Sequence, residues 1–342
     1  MPTTLMRFEQ VLALADAALR GCGVSAANAA PVARSIACAE RDGQAIVGLS
    51  YLPTYCDHAA CGKVDGQAQP RLARRSAVAL HVDAATGFAH PALAAGLPAL
   101  AEAAREHGLA LLAVGNSYAC GSLGYFVEEL AEQGLVAFMV ANASPSIAPW
   151  GGKTPFFGTN PIAFGVPRAG RAPLVIDQSS STVARVAVFD AHRRGVPLPD
   201  GWALDAEGRP THDAAAAMQG SMFPLGGYKG AGLALMVDVL AAGLTGAHYS
   251  HEVSSFGDTS GGPPRSGQLV IAFEPTRLRG PGFADDLERM LAAMHEGPGV
   301  RLPGDRRLQA RDQYAQGIAV DDALVATLQR YAREGSPAAD TR

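Results

Sequence analysis

The run Pro224-Leu-Gly-Gly-Tyr-Lys-Gly-Ala-Gly-Leu233 limits the fold of this chain more than any other stretch of it. It leads into Leu-Ala-Leu-Met-Val-Asp-Val-Leu-Ala-Ala-Gly-Leu244, which is apolar, free of proline and long enough for a buried helix. Glycine lets backbone N–H groups come close to a ligand, and a helix start carries partial positive charge. With the ammonium of Lys229, the residues Gly226, Gly227 and Gly230 form a candidate seat for a phosphate or carboxylate. The other reading of the same residues is a glycine-rich turn into a helix, with Lys229 merely solvated. The spacing is not that of a P-loop, and there is no Gly-x-Gly-x-x-Gly following a strand. The two commonest phosphate-binding frameworks are thereby excluded.

The chain's 342 residues are enough for two or three domains. With 48% hydrophobic and 18% charged residues and a net charge of −4, it has no basic surplus to recruit nucleic acid. Its apolar runs fall short of the roughly 20 residues needed to span a bilayer, and the N-terminus lacks a charged-then-apolar leader pattern. A cytoplasmic protein with no membrane or nucleic-acid partner is expected. Cys56, His58 and Cys61 form a C-x-H-x-x-C spacing without a fourth ligand nearby, so free thiols and no metal are expected.

Helical spacing covers Phe8 to Leu19 and a second helix opening at Ser25, with Pro31 in its first turn. From 75 to 142 strands and helices alternate: Ala77–Val82, Pro91–His107, Gly108–Val114, Tyr125–Gln133 and Leu135–Ala141. Beyond 143, dense Pro and Gly separate short strands at Ile162–Val166 and Leu174–Asp177. Gln268–Phe273 reads as a strand, and 282–296 and 320–333 as helices, with the last eight or so residues expected to fray.

Three further clusters carry candidate chemistry. Gly151 to Pro161, including Gly158, Thr159 and Asn160, suits a loop folded round a ligand. Asp177-Gln-Ser179-Ser180-Ser181-Thr offers hydroxyl and amide donors for a diphosphate, and Asp177 is placed to orient a substrate or move a proton. A capped helix start or polar loop explains the same serines. Asn116-Ser117-Tyr118 follows a buried strand, where functional loops of α/β layers tend to lie. None of the nine histidines falls in these clusters.

Together, Glu40-Arg-Asp-Gly, Asn116-Ser, Pro149-Trp-Gly-Gly, Gly158-Thr-Asn-Pro, Asp177, Gly201-Trp-Ala-Leu-Asp, Pro224-Leu-Gly-Gly-x-Lys-Gly and Gly267-Gln resemble the malate/L-lactate dehydrogenase-like family of NAD(P)H oxidoreductases. The resemblance extends over nearly the whole chain. Ser254-Ser-Phe, Gly262-Pro-Pro-Arg and Val300-Arg-Leu-Pro-Gly-Asp-Arg306 look most like the Δ1-piperideine-2-carboxylate/Δ1-pyrroline-2-carboxylate reductases, which reduce cyclic ketimines. It implies an α/β fold that is not a Rossmann fold, with a mixed, largely antiparallel central sheet and a helical domain made from both termini. It also implies a homodimer, a small-molecule substrate, and NADPH or NADH as cofactor. The implied division is 1–75 with 300–342, 76–142 and 143–299. The implied cofactor contacts are Asn116, Ser117, Gly158, Thr159, Asn160, Ser179, Ser180, Ser181, Gly226, Gly227, Lys229, Gly230 and Arg306.

Where the resemblance implies a Ser-His-Gly motif with an Arg further on, this chain has Ile46-Val-Gly48 and Tyr51, and Ala119 stands at a second histidine position. A phenol does not replace a guanidinium as a carboxylate clamp. Tyr118, Tyr51 and Asp177 are therefore the candidate catalytic groups. Reduction of a cyclic imine is expected, since a protonated imine needs no strong acid. A 2-hydroxy acid dehydrogenase of the malate/lactate type remains open, as does a scaffold turned to a non-redox step or to binding.

Overall fold

The computed structural model describes residues 2–297 and 299–341. Strand β1 (Thr3–Met6) leads into helices α1 (Phe8–Gly21), α2 (Ala26–Arg41) and α3 (Leu52–Ala60). The α1 stripe Val11, Ala15, Ala18 and Leu19 is buried, as its i, i+4, i+7 and i+8 spacing requires. Ser25 caps α2, its hydroxyl accepting the Asn28 N–H at 3.3 Å. Pro31 lies inside this helix, beyond its first turn.

Next come β2 (Arg71–Arg74), β3 (Ala79–Asp83), α4 (Ala89–His107), β4 (Leu109–Ser117), α5 (Gly124–Glu132) and β5 (Val136–Ala141). They are followed by β6 (Ile162–Arg168), β7 (Arg171–Gln178) and α6 (Arg185–Arg194). The short pieces β8 (Ala203–Leu204), β9 (Pro210–Thr211), α7 (Ala214–Gln219) and β10 (Ser221–Met222) form a flap that ends at α8 (Tyr228–Asp238). The chain closes with β11 (Ser266–Phe273), α9 (Pro275–Leu278), α10 (Phe283–His295), α11 (Asp305–Gln313), β12 (Ile318–Asp321) and α12 (Asp322–Glu334).

The central sheet has seven strands in the order β2-β3-β4-β11-β5-β6-β7. Only β3 and β4 pair in parallel, joined over the sheet by α4; every other pairing is antiparallel. A parallel pair requires a crossover, and α4 supplies it. β11 inserts between β4 and β5 with Val270 opposite Leu112 and Met139. The strand–helix alternation expected over 75–142 is therefore present, but its last two strands are not neighbours. One face of the sheet packs on α4 and α5 through Leu93, Leu100, Leu112, Val127 and Met139, and the other meets Val237 and Ala241 beside Val140 and Leu269. Gly165 lets α5 lie close to β6: a Cβ there would fall 2.4 Å from the Val127 carbonyl oxygen.

The termini meet in the antiparallel pair β1–β12, with Met6 opposite Ile318, in one helical core containing Leu19, Val32, Leu52 and Leu328. A buried ionic cluster ties this unit to the sheet. Arg311 bonds Asp42 at 2.7 Å and Glu128 at 2.6 Å, and Arg307 bonds Glu128 at 3.0 Å.

Three expectations change. The division at 75 and 142 cuts through a single sheet, because β2 and β11 fall outside 76–142 yet pair within it. The helix after the glycines starts at Tyr228 rather than Leu233, so Lys229 and Gly230 belong to its first turn. Gly230 lies against the preceding loop, where a Cβ would meet the Leu225 backbone at 2.4 Å. At the C-terminus a turn at Pro337–Thr341 follows Ser336, whose hydroxyl bonds the Asp57 carboxylate; Arg342 lies outside the described residues.

Candidate active site

A cavity of about 890 Å³ opens where the helical unit meets the sheet. Ile46, Val47, Tyr51 and Tyr55 form one wall, and Cys120, Gly121 and Leu123, between β4 and α5, form the next. The segment Asn142–Ser146 and Thr159 continue it beyond β5, with Arg185, Val186 and Phe189 of α6 and Phe256 and Gly257 across from them. The 46–51 segment makes two short helical turns braced from below by a buried carboxylate. Glu40 accepts the Leu49 N–H at 2.6 Å, and burial raises its pKa. Gly48 is needed there because a Cβ would lie 2.5 Å from Glu40 Oε1.

Of the candidate catalytic and cofactor-binding residues, Tyr51 and Thr159 line this cavity. Tyr51 donates its hydroxyl to the Phe256 carbonyl at 3.2 Å, and burial pushes its pKa up. Tyr118, a candidate catalytic group, is outside that lining. It is fully buried, its hydroxyl is bonded to His58 Nδ1, and Phe256, Phe88 and Tyr55 pack edge-on at 5.3, 5.6 and 5.8 Å. Burial, reinforced by Lys63, lowers the His58 pKa to about 4, so the pair is neutral.

Asp177 sits at the end of β7, outside the cavity lining. Its carboxylate accepts from Ser122 Oγ at 2.9 Å and Gly124 N at 2.7 Å, anchoring the start of α5. The residue still reaches solvent, although protein packed round its carboxyl raises the pKa against the pull of those donors.

The remaining candidates brace the framework or lie elsewhere. Asn160, fully buried, holds Ala143 N and the Ala234 carbonyl. Ser180 donates to the Asn160 carbonyl at 2.7 Å and Ser181 to Val183 at 2.7 Å, while Ser179 pairs with Ser181. Gly158 gives the chain passage past the Ala143 carbonyl, 2.4 Å from where a Cβ would stand. Asn116 lines a separate cavity and bonds Asp83 at 3.1 Å, and Ser117 is buried. Lys229 is exposed on α8, with Gly226, Gly227 and Gly230 likewise outside the cavity. Arg306 is exposed, whereas its neighbour Arg307 enters the ionic cluster.

Sequence reading missed three groups. The Tyr55 hydroxyl has no hydrogen-bond partner among the described residues, although the ring is almost wholly buried on the cavity wall. Arg185 lines the cavity from α6. Gln268 donates Nε2 to the Tyr118 carbonyl at 3.1 Å and leaves Oε1 buried without a partner. A buried acceptor without a donor is a lasting penalty, and a carboxamide N–H of a nicotinamide would satisfy it. The cavity thus fits such a group.

The sequence pattern of the malate/L-lactate dehydrogenase family matches residues 6–329. The chain is 48% identical to the (2R)-3-sulfolactate dehydrogenase (NADP(+)) of Chromohalobacter salexigens, over 93% of this chain and 95% of that protein. It is 40% identical to a Δ1-pyrroline-2-carboxylate/Δ1-piperideine-2-carboxylate reductase of Pseudomonas putida, over 92% and 93%. The crystal structure of Δ1-piperideine-2-carboxylate reductase from Pseudomonas syringae pv. tomato superposes with a TM-score of 0.92 at 39% identity, covering 96% of this chain and 100% of that one. The central sheet and the unit built from both termini match what those relationships require, and the chain belongs to the malate/L-lactate dehydrogenase family of NAD(P)H-dependent oxidoreductases.

Proposed function

We propose that this enzyme reduces a cyclic 2-imino acid of the Δ1-pyrroline- or Δ1-piperideine-2-carboxylate class, using NADPH or NADH. One observation carries the reading. The cavity end built from residues 46–55 and 119–123 offers the hydroxyls of Ser50, Tyr51, Thr54 and Tyr55 and the Cys120 thiol, with neither imidazole nor carboxylate among its lining. A ketone needs a proton as hydride arrives, whereas a cyclic iminium brings its own. The reductases at about 40% identity support the same substrate class.

When bound, the cofactor supplies the hydride. Gln268 would hold the carboxamide, and Ser144, Ser146 and Thr159 would hold its polar backbone. Ile46, Val47 and Phe256 keep water from the reacting carbon. His192 and Arg193 at the rim suit the 2′-phosphate of NADPH. A second reading, oxidation and reduction of a 2-hydroxy acid, is favoured by the sulfolactate dehydrogenase relative; the Tyr55 hydroxyl would then supply the proton.

No helix among the described residues is long and apolar enough to cross a membrane, and the reading takes the enzyme as cytoplasmic. It acts as a homodimer, docked through α8. On that helix Gly232, Leu235 and Met236, with Val239 just beyond its end, form an exposed apolar stripe opposite the buried Ala231, Ala234 and Val237.

The test is steady-state reduction with NADPH of both cyclic imino acids, pyruvate, oxaloacetate and the 2-oxo acid matching 3-sulfolactate. The imino acids should exceed the 2-oxo acids in kcat/KM by about 10²-fold or more. Equal or better turnover of a 2-oxo acid would transfer the assignment to the second reading.

A further inference from the structure

The substrate proposed above carries a carboxylate, and the inference rests on that reading. A carboxylate entering a largely apolar cavity has to be met by a cation or by several hydrogen bonds. Three basic side chains line this cavity: Arg185, His192 and Arg193. The Arg193 side chain is 81% exposed and already bonded to Asp190 at 2.8 Å. His192 is exposed at the rim.

Arg185 stands apart from both. It is half-buried and has no hydrogen bond or ion pair among the described residues; its guanidinium lies 5.9 Å from the centre of the Phe189 ring. Burial lowers its pKa, the effect of a charge that has lost water without gaining an anion. A guanidinium stays protonated regardless, so the deficit persists until an anion arrives.

Its position suits the task. Phe189 reaches across to Gly257, where a Cβ would stand 3.4 Å from the ring tip, and the carbonyl of neighbouring Phe256 accepts the Tyr51 hydroxyl at 3.2 Å. Through Phe189, Arg185 is thus placed beside the 256–257 segment that contacts Tyr51. We infer that Arg185 binds the carboxylate of the substrate, with Phe189 holding the guanidinium in place.

The probe is pyridine-2-carboxylate, an unreactive planar analogue, titrated calorimetrically into the NADPH-loaded wild type, Arg185→Lys and Arg185→Gln. Arg185→Gln should bind roughly 10- to 150-fold more weakly, with Arg185→Lys in between. The ratio of kcat/KM for Δ1-pyrroline-2-carboxylate to that for 1-pyrroline, which lacks the carboxylate, should fall by a similar factor in Arg185→Gln. Three results would overturn the inference: equal affinity across the three proteins, no binding to wild type, or a loss of NADPH affinity with the substrate ratio unchanged. Arg185-dependent binding of the analogue by a wild type that reduces no cyclic imino acid would instead sink the imino-acid reading and leave the role of Arg185 standing.

Discussion

Tyr55 and Tyr118 share one aromatic cluster, their ring centres 5.8 Å apart, but differ in what their hydroxyls meet. The Tyr118 hydroxyl satisfies a buried imidazole, so its loss leaves His58 Nδ1 buried without that partner. Tyr118→Phe should lower stability by about 1–3 kcal/mol with kcat little changed. The Tyr55 hydroxyl, without a hydrogen-bond partner among the described residues, belongs to the cavity wall. Tyr55→Phe should leave stability nearly unchanged and lower kcat/KM about tenfold, the worth of one hydrogen bond to substrate. Urea denaturation paired with steady-state rates separates the two; a tenfold fall in kcat confined to Tyr118→Phe would reverse the assignment.

Helix α8 illustrates what an element needs beyond its own sequence. Its apolar residues run all round it, a pattern that normally marks a fully buried helix. Ala231, Ala234 and Val237 do face the interior, but Leu235 is 51% and Met236 60% exposed. Tyr228 extends the apolar surface toward Trp150, with ring centres 6.3 Å apart. In the proposed homodimer a second copy covers this face, and Gly232, with nothing within 4 Å of its Cβ position, allows a close approach. Leu235→Glu should therefore yield a species of 35.3 kDa, one chain, in sedimentation velocity, against twice that for wild type. A wild type that sediments as a single chain at micromolar concentration would remove the dimer from the account.

For the molecule as a whole, stability should depend on acidity through two buried histidines. In an unfolded chain each imidazole takes a proton near pH 6.5. In the fold, burial holds His58 and His90 down to about 4. Between those values the unfolded chain binds more protons, so the contribution is fully present above about pH 6.5 and is lost as pH falls toward 4. Each histidine contributes on the order of 3 kcal/mol over that range. Glu40 acts in the opposite sense, because its raised pKa favours the fold most when it is protonated. Denaturant midpoints at pH 7 and pH 5 should differ, with the acid sample weaker; equal midpoints would contradict neutral, buried imidazoles. The cluster of Asp42, Glu128, Arg307 and Arg311 joins the helical unit to the sheet, and removing one member would leave an uncompensated buried charge.

Periodicity within the chain was enough to locate most helices and strands, because an amphipathic stripe or a short β-branched run records its own burial. The ordered motifs likewise carried the family, and Gly158 beside the Ala143 carbonyl shows one of them preserving a local backbone demand. The insertion of β11 between β4 and β5 was not legible, for strand neighbours more than a hundred residues apart leave no local trace. The site suffered most from this. Ser180, Ser181 and Asn160 look like ligand-binding groups in a sequence, and only packing reveals that they bond to backbone. Arg185 and Tyr55 look ordinary in a sequence. Tertiary structure alone brings them to the cavity with no hydrogen-bond partner among the described residues for the guanidinium or the hydroxyl, and an unpaired polar group at a cavity wall is what a ligand can exploit.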